Sequence, residues 1–261
     1  MNQSLYTWAR VRNKYLSYDA ERGPRVRAMF SRLAPRYDLV NDVMSFGLHR
    51  RWKRQTVEMA MQEAGGRGRE AGGTGGKRRV LDLCCGSGDL CFLAEARGAG
   101  AVVGVDFTLP MLAVARRRQR AGGRRGTRFI QADALHLPFP DASFDAVTIS
   151  YGLRNVADLG AALSEMRRVL ASGGRAVVLD FGKPANPVAG ALYRMFLRAA
   201  MPVVGWLFHG DAAAYLYIPA SLERYPGQRG VETLMRAAGF SNVRSEDRLL
   251  GTMGINVGEA T

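Results

Sequence analysis

An apolar run, Val80 to Leu83, breaks into the glycine-rich turn Cys84 to Gly88, and this transition constrains the chain more than any other feature. Val80, Leu81 and Leu83 favour a strand, while Gly86 and Gly88 permit positive φ and a close backbone approach to whatever the turn holds. Asp89 to Glu95 then reads as the start of a helix. A strand that turns through glycine into a helix opens a nucleotide-binding α/β unit. A second buried-strand run, Ala101 to Val105, ends on Asp106, eighteen residues after Gly88.

An acid at the end of the second strand can accept both hydroxyls of a ribose. The turn, however, is GxG without a third glycine, and Asp82 places a further carboxylate inside the first strand. That pattern suits S-adenosylmethionine better than a dinucleotide, because there is no pyrophosphate to seat and the methionyl ammonium needs an acid. Phe129 and Ile130 lead to Asp133, where an aspartate at a strand end reaches an adenine amino group. Phe144 to Tyr151 reads as a fourth strand whose polar end faces the same crevice. In open α/β sheets ligands sit outside the carboxyl ends of the strands, so these motifs define one site.

The rest of the chain fits an α/β domain with additions. Residues 1–25 read as a flexible basic arm or the remainder of a targeting segment. Residues 26–63 read as a helical cap with a turn at Ser45 to Gly47, and 64–79 as a glycine-rich loop. Residues 80–261 form the alternating core, with a lid insertion at about 184–222. Within it, a helix over Leu159 to Leu170 precedes a Ser172-Gly173-Gly174 turn and a strand over Ala176 to Phe181. A helix over Gly230 to Ala238 comes next. An antiparallel pair near Val243 to Leu249 and Met253 to Val257 completes a seven-stranded sheet. No internal repeat is visible.

Val188 to Phe208 comes nearest to a membrane span, but Arg194 and Arg198 interrupt it on one helix face. With Leu192, Tyr193, Met195, Phe196 and Leu197 it reads as a lid helix packed on the core or an interfacial helix that touches lipid. The two are compatible if the lid admits a lipid substrate.

A formal charge of +14 over 261 residues suggests nucleic acid first and an anionic membrane surface second. Arginines cluster at Arg116, Arg117, Arg118 and Arg120, then Arg124, Arg125 and Arg128, which a solvated helix face also explains. No aromatic-interleaved basic motif accompanies them, so no nucleic-acid partner is expected. Cys84, Cys85 and Cys91 match no zinc spacing and are odd in number, which argues for free thiols in a reducing compartment. His49, His136 and His209 are too scattered to form a metal centre.

Three longer stretches resemble the ubiquinone and menaquinone biosynthesis C-methyltransferases, S-adenosylmethionine-dependent enzymes of class I. The first is YDLVNDVMSFGLHRRW, Tyr37 to Trp52, which departs from the family pattern by Val40 in place of Met. YGLRNV, Tyr151 to Val156, is the second. In the third, RVLASGGRAVVLDFGKP from Arg168 to Pro184, Ala171-Ser172 replaces Lys-Pro and Asp180 stands where many bacterial members have Glu. The resemblance covers nearly everything from Met29 onward. The spellings CCGSGDL, LDF and YLYIPASLERYPG look like the cyanobacterial and plastid branch.

The resemblance implies a Rossmann-like, seven-stranded methyltransferase domain with an antiparallel closing strand, a helical N-terminal cap and a lid. It implies S-adenosyl-L-methionine as the methyl donor, held by Ser87, Asp106, Asp133, Ala134 and Ser150. Asp82, Gly86 and Gly88 join these on the physical grounds above. The implied acceptor is a prenylated naphthoquinol, 2-phytyl-1,4-naphthoquinone in reduced form, making phylloquinone. Demethylmenaquinone or a ubiquinone precursor is the alternative. The subtype implies a chloroplast enzyme peripheral to the membrane, against the bacterial cytoplasm, and a homo-oligomer is compatible with either.

Methylating a ring carbon requires that carbon to be electron-rich, which deprotonation of the adjacent hydroxyl achieves. Arg154 is assigned to the developing oxyanion, against a structural ion pair with an aspartate, and Asn155 to orienting it, with Tyr37 and His49 as candidates for the proton relay. Two readings from other classes compete: an RNA methyltransferase or nucleic-acid binder with a vestigial site, and a structural subunit of a quinone-biosynthesis complex.

Overall fold

The computed structural model describes residues 22–34, 37–62, 77–209 and 213–261. Most of the expected basic arm and of the glycine-rich loop therefore lies outside the described residues. Helix α1, Arg22–Leu33, begins inside the segment expected as arm, and is followed by α2, Tyr37–Ser45, and α3, Leu48–Met61. The turn between α2 and α3 falls where the sequence places it, on Phe46 and Gly47, both at positive φ.

Seven strands follow: β1 Arg79–Leu83, β2 Ala101–Asp106, β3 Thr127–Gln131, β4 Phe144–Ser150, β5 Leu170–Phe181, β6 Phe240–Arg248 and β7 Met253–Ala260. They form one sheet in the order β3-β2-β1-β4-β5-β7-β6. The pairs from β3 to β5 are parallel, while β7 runs antiparallel to both β5 and β6. The expected closing pair is thus present, with β7 inserted between β5 and β6. Strand order reverses between β1 and β4, which is where an open sheet leaves a crevice for a ligand.

β1 is apolar in an unbroken run because helices cover both faces of the sheet. Leu81 and Leu83 pack with Ile149 and Val178 under Leu163 and Met166 of α6, Leu159–Val169, and under Val231 and Met235 of α9, Gly227–Ala237. On the opposite face Val80, Val102, Val177 and Leu179 meet Trp52, Val57 and Ala60 of α3. Leu90 and Phe92 of α4, Asp89–Ala96, join them, as do Leu112 and Ala115 of α5, Leu109–Ala121. The strand period of two assigns Asp82 to this second face, among the cap helix and α4.

One expectation is refined. Pairing of β5 extends back past the Ser172-Gly173-Gly174 turn, because Leu170 partners Phe144 while Arg175 partners Ala146. Residues 171–174 loop out between those two pairs, and Gly173 supplies the left-handed φ of 73° that this requires.

The segment after β5 forms α7, Pro187–His209, and α8, Ala213–Arg224. Leu197, Met201 and Val204 of α7 and Tyr217 of α8 share an apolar cluster with Val26, Met29, Phe30 and Leu33 of α1 and Val40 of α2. Phe30 and Tyr217 meet edge to face at 6.1 Å. No helix among the described residues is long and apolar enough to cross a membrane.

Candidate active site

At the carboxyl ends of β1 and β4 two non-glycine residues take left-handed backbone, Cys84 at φ 50° and Tyr151 at φ 58°. Such strain concentrates where a site needs an abrupt change of direction. Gly152 is obligatory beside them, since a Cβ there would lie 2.5 Å from that of Cys84. Two adjoining cavities open at this point, of about 60 and 490 Å³, and share Cys84, Asp106, Phe107, Gly152 and Asn155.

Asp106 fixes the glycine turn. Its Oδ2 accepts Gly86 N–H at 2.9 Å and its Oδ1 accepts Thr108 N–H at 2.8 Å. Burial raises its pKa against these two backbone donors. Asp106 faces both cavities, and each carboxylate oxygen keeps a second lone pair for a ligand hydroxyl.

The smaller cavity also receives Asp82, Gly86, Ser87 and Ser150. Asp82 is 2 % exposed and accepts from Thr148 Oγ1 at 2.7 Å. Burial pushes its pKa up to about 7, only partly opposed by Thr148 and Cys91. Ser150 Oγ is buried with no hydrogen-bond partner among the described residues, which marks a donor awaiting a ligand. The larger cavity receives Asp133, Ala134, Leu135 and Val156. Asp133 Oδ1 accepts Leu135 N–H at 3.0 Å, which folds the strand end back.

Seven of the eight sequence-predicted cofactor residues thus converge on the two cavities. Gly88 lines neither: at φ 88° it caps α4, and a Cβ would press within about 3 Å of Phe129 and Phe92. The four residues expected at the acceptor side separate. Asn155 lines both cavities, its Nδ2 donating to Tyr151 O at 3.2 Å. Arg154 lines neither. Its Nη1 donates to Asp180 Oδ1 at 2.7 Å and to Tyr151 O at 2.7 Å, with the side chain 3 % exposed and the guanidinium 4.6 Å from the Phe181 ring centre. His49 also lies outside the cavities. It is hydrogen-bonded through Nδ1 to Ser45 Oγ at 2.8 Å, and burial together with Lys53 lowers its pKa. Tyr37 opens α2, and its side chain lies outside the described residues.

Sequence reasoning missed Lys53 and Asp89, both on the smaller cavity, and Phe30 and Met111 beside them. Lys53 Nζ donates to Asp89 Oδ2 at 2.7 Å, and Arg118 Nη2 lies 2.7 Å from Asp89 Oδ1. Burial works to raise the Asp89 pKa, but the two cations outweigh it and hold the carboxyl well below the usual range. A signal for Lys53 was available: it is a lysine on the face of α3 that carries Trp52, Thr56, Val57 and Ala60 into the core.

Residues 18–259 match the model of the ubiE/COQ5 methyltransferase family. The chain is 47 % identical to a demethylmenaquinone methyltransferase of Thermus thermophilus, over 88 % of this chain and 99 % of that one. It is 38 % identical to the ubiquinone/menaquinone biosynthesis C-methyltransferase UbiE of Geobacter sulfurreducens, over 92 % and 90 %. In fold it resembles an S-adenosylmethionine-dependent methyltransferase of Thermotoga maritima, with a TM-score of 0.59 at 19 % identity over 90 % and 99 % of the two chains. It also resembles a Haemonchus contortus phosphoethanolamine N-methyltransferase solved with S-adenosyl-L-methionine, with a TM-score of 0.55 at 15 % identity over 82 % and 57 %.

Proposed function

The chain belongs to the ubiE/COQ5 methyltransferase family and is an S-adenosylmethionine-dependent quinone C-methyltransferase; from that premise we propose that its acceptor is a demethylmenaquinone-type ring in its reduced, quinol form. The observation that carries the choice of acceptor is the end-to-end match to the Thermus thermophilus enzyme. It favours the alternative over the phylloquinone reading, and a bacterial cytoplasmic setting over a plastid one. The two cysteines of the CCGSGDL spelling have a packing explanation: a Cβ on Gly152 would lie 2.5 Å from Cys84 Cβ and one on Gly104 2.9 Å from Cys85 Sγ, so both fill space beside glycines.

When bound, S-adenosylmethionine supplies an electrophilic methyl group. Asp82 would meet its ammonium, Asp106 its ribose hydroxyls and Asp133 with Ala134 its adenine. Ser150 and Ser87 complete the smaller cavity, with Phe30 and Met111 as its apolar lining. Asn155 faces the acceptor and orients its oxygen. Arg154, tied to Asp180 and to the Tyr151 carbonyl, positions the Tyr151-to-Asn155 turn rather than touching the ring. Tyr37 keeps its place as a candidate for the proton relay. Residues 26–62 and the α7–α8 segment act as cap and lid over the crevice.

α7 exposes Leu192, Met195, Val203, Trp206 and Leu207 alongside Arg194 and Arg198. This face suits a membrane that delivers a prenylated acceptor. Purified protein is assayed on demethylmenaquinol, demethylphylloquinol and a benzoquinol precursor in vesicles, and on total RNA. Demethylmenaquinol is expected to give the highest kcat/KM. Vesicle binding is expected to be roughly tenfold or more tighter with anionic lipid, from about 1 kcal/mol for each arginine. Methyl label in RNA alone, or a preference for the phytyl substrate, would overturn the acceptor assignment; binding indifferent to lipid charge would remove the membrane.

Asp82 also predicts a pH dependence. Its pKa of about 7 lies above the ordinary carboxyl value, so the unliganded fold loses stability as pH rises from about 4 through 7, by up to roughly 4 kcal/mol. Binding an ammonium requires the ionised form. Cofactor affinity therefore falls as pH drops below 7, approaching tenfold per unit. Asp82→Asn is expected to flatten that dependence in calorimetry and to raise the urea midpoint of unliganded protein at pH 8. A wild-type affinity independent of pH between 5.5 and 8 would refute the role.

A further inference from the structure

We propose that Lys53, carried by the N-terminal cap rather than by the sheet, binds the α-carboxylate of the methionyl end of the methyl donor. The inference deepens the cofactor site and rests on the reading that Asp82 takes the ammonium; it is independent of the acceptor.

A methionyl terminus is a zwitterion whose opposite charges sit on one carbon, so a narrow cavity that accepts it needs a cation and an anion facing each other. The smaller cavity holds Asp82, Asp89 and Asp106, and Lys53 is the one cationic side chain among the described residues that line it. The lysine is no surface group: its side chain is 8 % exposed, on the buried face of α3. It also lies 5.9 Å from the centre of the Tyr151 ring, on the strained turn that follows β4.

Burying an ammonium costs several kcal/mol unless it is paired, and Asp89 provides the pair in the unliganded protein. What distinguishes this pair from a structural one is its third member. Asp89 is held through its other oxygen by Arg118, which also donates to the carbonyl of Ser87 at 3.0 Å. Lys53 can therefore turn to an incoming carboxylate without leaving Asp89 as an uncompensated buried charge. Cofactor binding would in this way draw the cap helix against the glycine turn.

The test uses the full chain and calorimetric affinity for two ligands that differ only in the carboxylate, S-adenosylhomocysteine and its decarboxylated counterpart. Wild type is expected to bind the carboxylate-bearing ligand at least about thirtyfold more tightly, as one charge-assisted hydrogen-bonded pair supplies. Lys53→Met is expected to lose that preference: affinity for S-adenosylhomocysteine falls tenfold or more, while the decarboxylated ligand binds as well as before or better. Lys53→Arg retains part of the preference.

Equal loss of both ligands in Lys53→Met, with circular dichroism showing a folded chain, would make the lysine a structural residue and overturn the proposal. If Lys53→Met does not fold, the wild-type ratio decides: equal binding of the two ligands overturns it without any variant. No binding of S-adenosylhomocysteine by wild type would overturn the cofactor site itself.

Discussion

Asp180→Ala is expected to destabilise the fold by about 3–5 kcal/mol, because it strands the Arg154 guanidinium in a site that is 4 % exposed. Asp180 accepts from Arg154 Nη1, from the backbone N–H of Arg154 at 3.1 Å and from that of Phe181 at 2.8 Å, so three hydrogen bonds are lost together and Nη1 keeps the Tyr151 carbonyl. Urea unfolding followed by circular dichroism measures the loss. A paired replacement separates stability from function. Arg154→Met with Asp180→Leu removes both charges, and buried ion pairs exchanged for apolar groups of similar volume are often neutral or stabilising. The double variant should recover the charge-burial part of the loss but not that of the Arg154 and Phe181 backbone N–H groups, while methyl transfer stays at least about a hundredfold down, since orientation errors of this kind carry that cost. Full activity in the double variant would reduce Arg154 and Asp180 to scaffolding.

Asp106→Ala is expected to abolish measurable cofactor binding at micromolar concentrations, a drop of a hundredfold or more, about 3 kcal/mol. Two effects add. The ribose hydroxyls lose a charged acceptor, and the N–H groups of Gly86 and Thr108 are left buried without one. Asp106→Asn tells them apart, because an amide oxygen can still hold one of the backbone donors. Calorimetry with S-adenosylhomocysteine should place it between wild type and alanine. An affinity unchanged in Asp106→Ala would remove the residue from the cofactor site.

Most of the fold was legible because its signals are local. The apolar run at Val80 to Leu83, the strand ends at Asp106 and Asp133, and the antiparallel pair at the carboxyl terminus each follow from composition and period over a few residues. The residues that line the two cavities were legible for the same reason, as most of them sit at the ends of recognisable strands. What escaped depends on which distant elements meet. Asp180 becomes the partner of Arg154 through the register of β4 with β5, in which Ser150 lies opposite Leu179. An ion pair of Arg154 with an aspartate was open from the sequence, but which aspartate cannot be read from spacing. Lys53 reaches Asp89 across 36 residues and from a different element. Gly88, by contrast, was legible as a turn glycine but not as one set by the rings of Phe92 and Phe129.

The three cysteines have a bearing on the chemistry the crevice can tolerate. Cys84 lines both cavities and Cys85 the smaller one, beside the place proposed for the acceptor ring, and the oxidised form of such a ring is an electrophile that thiolates attack. Burial pushes the thiols of Cys84 and Cys85 well above their ordinary pKa, and that of Cys91 up to about 11. The aspartates around them push in the same direction. At neutral pH all three therefore remain protonated and unreactive. The burial that packs these thiols around the glycine turn, with a smaller push from the neighbouring aspartates, thus also guards them against arylation by an oxidised quinone.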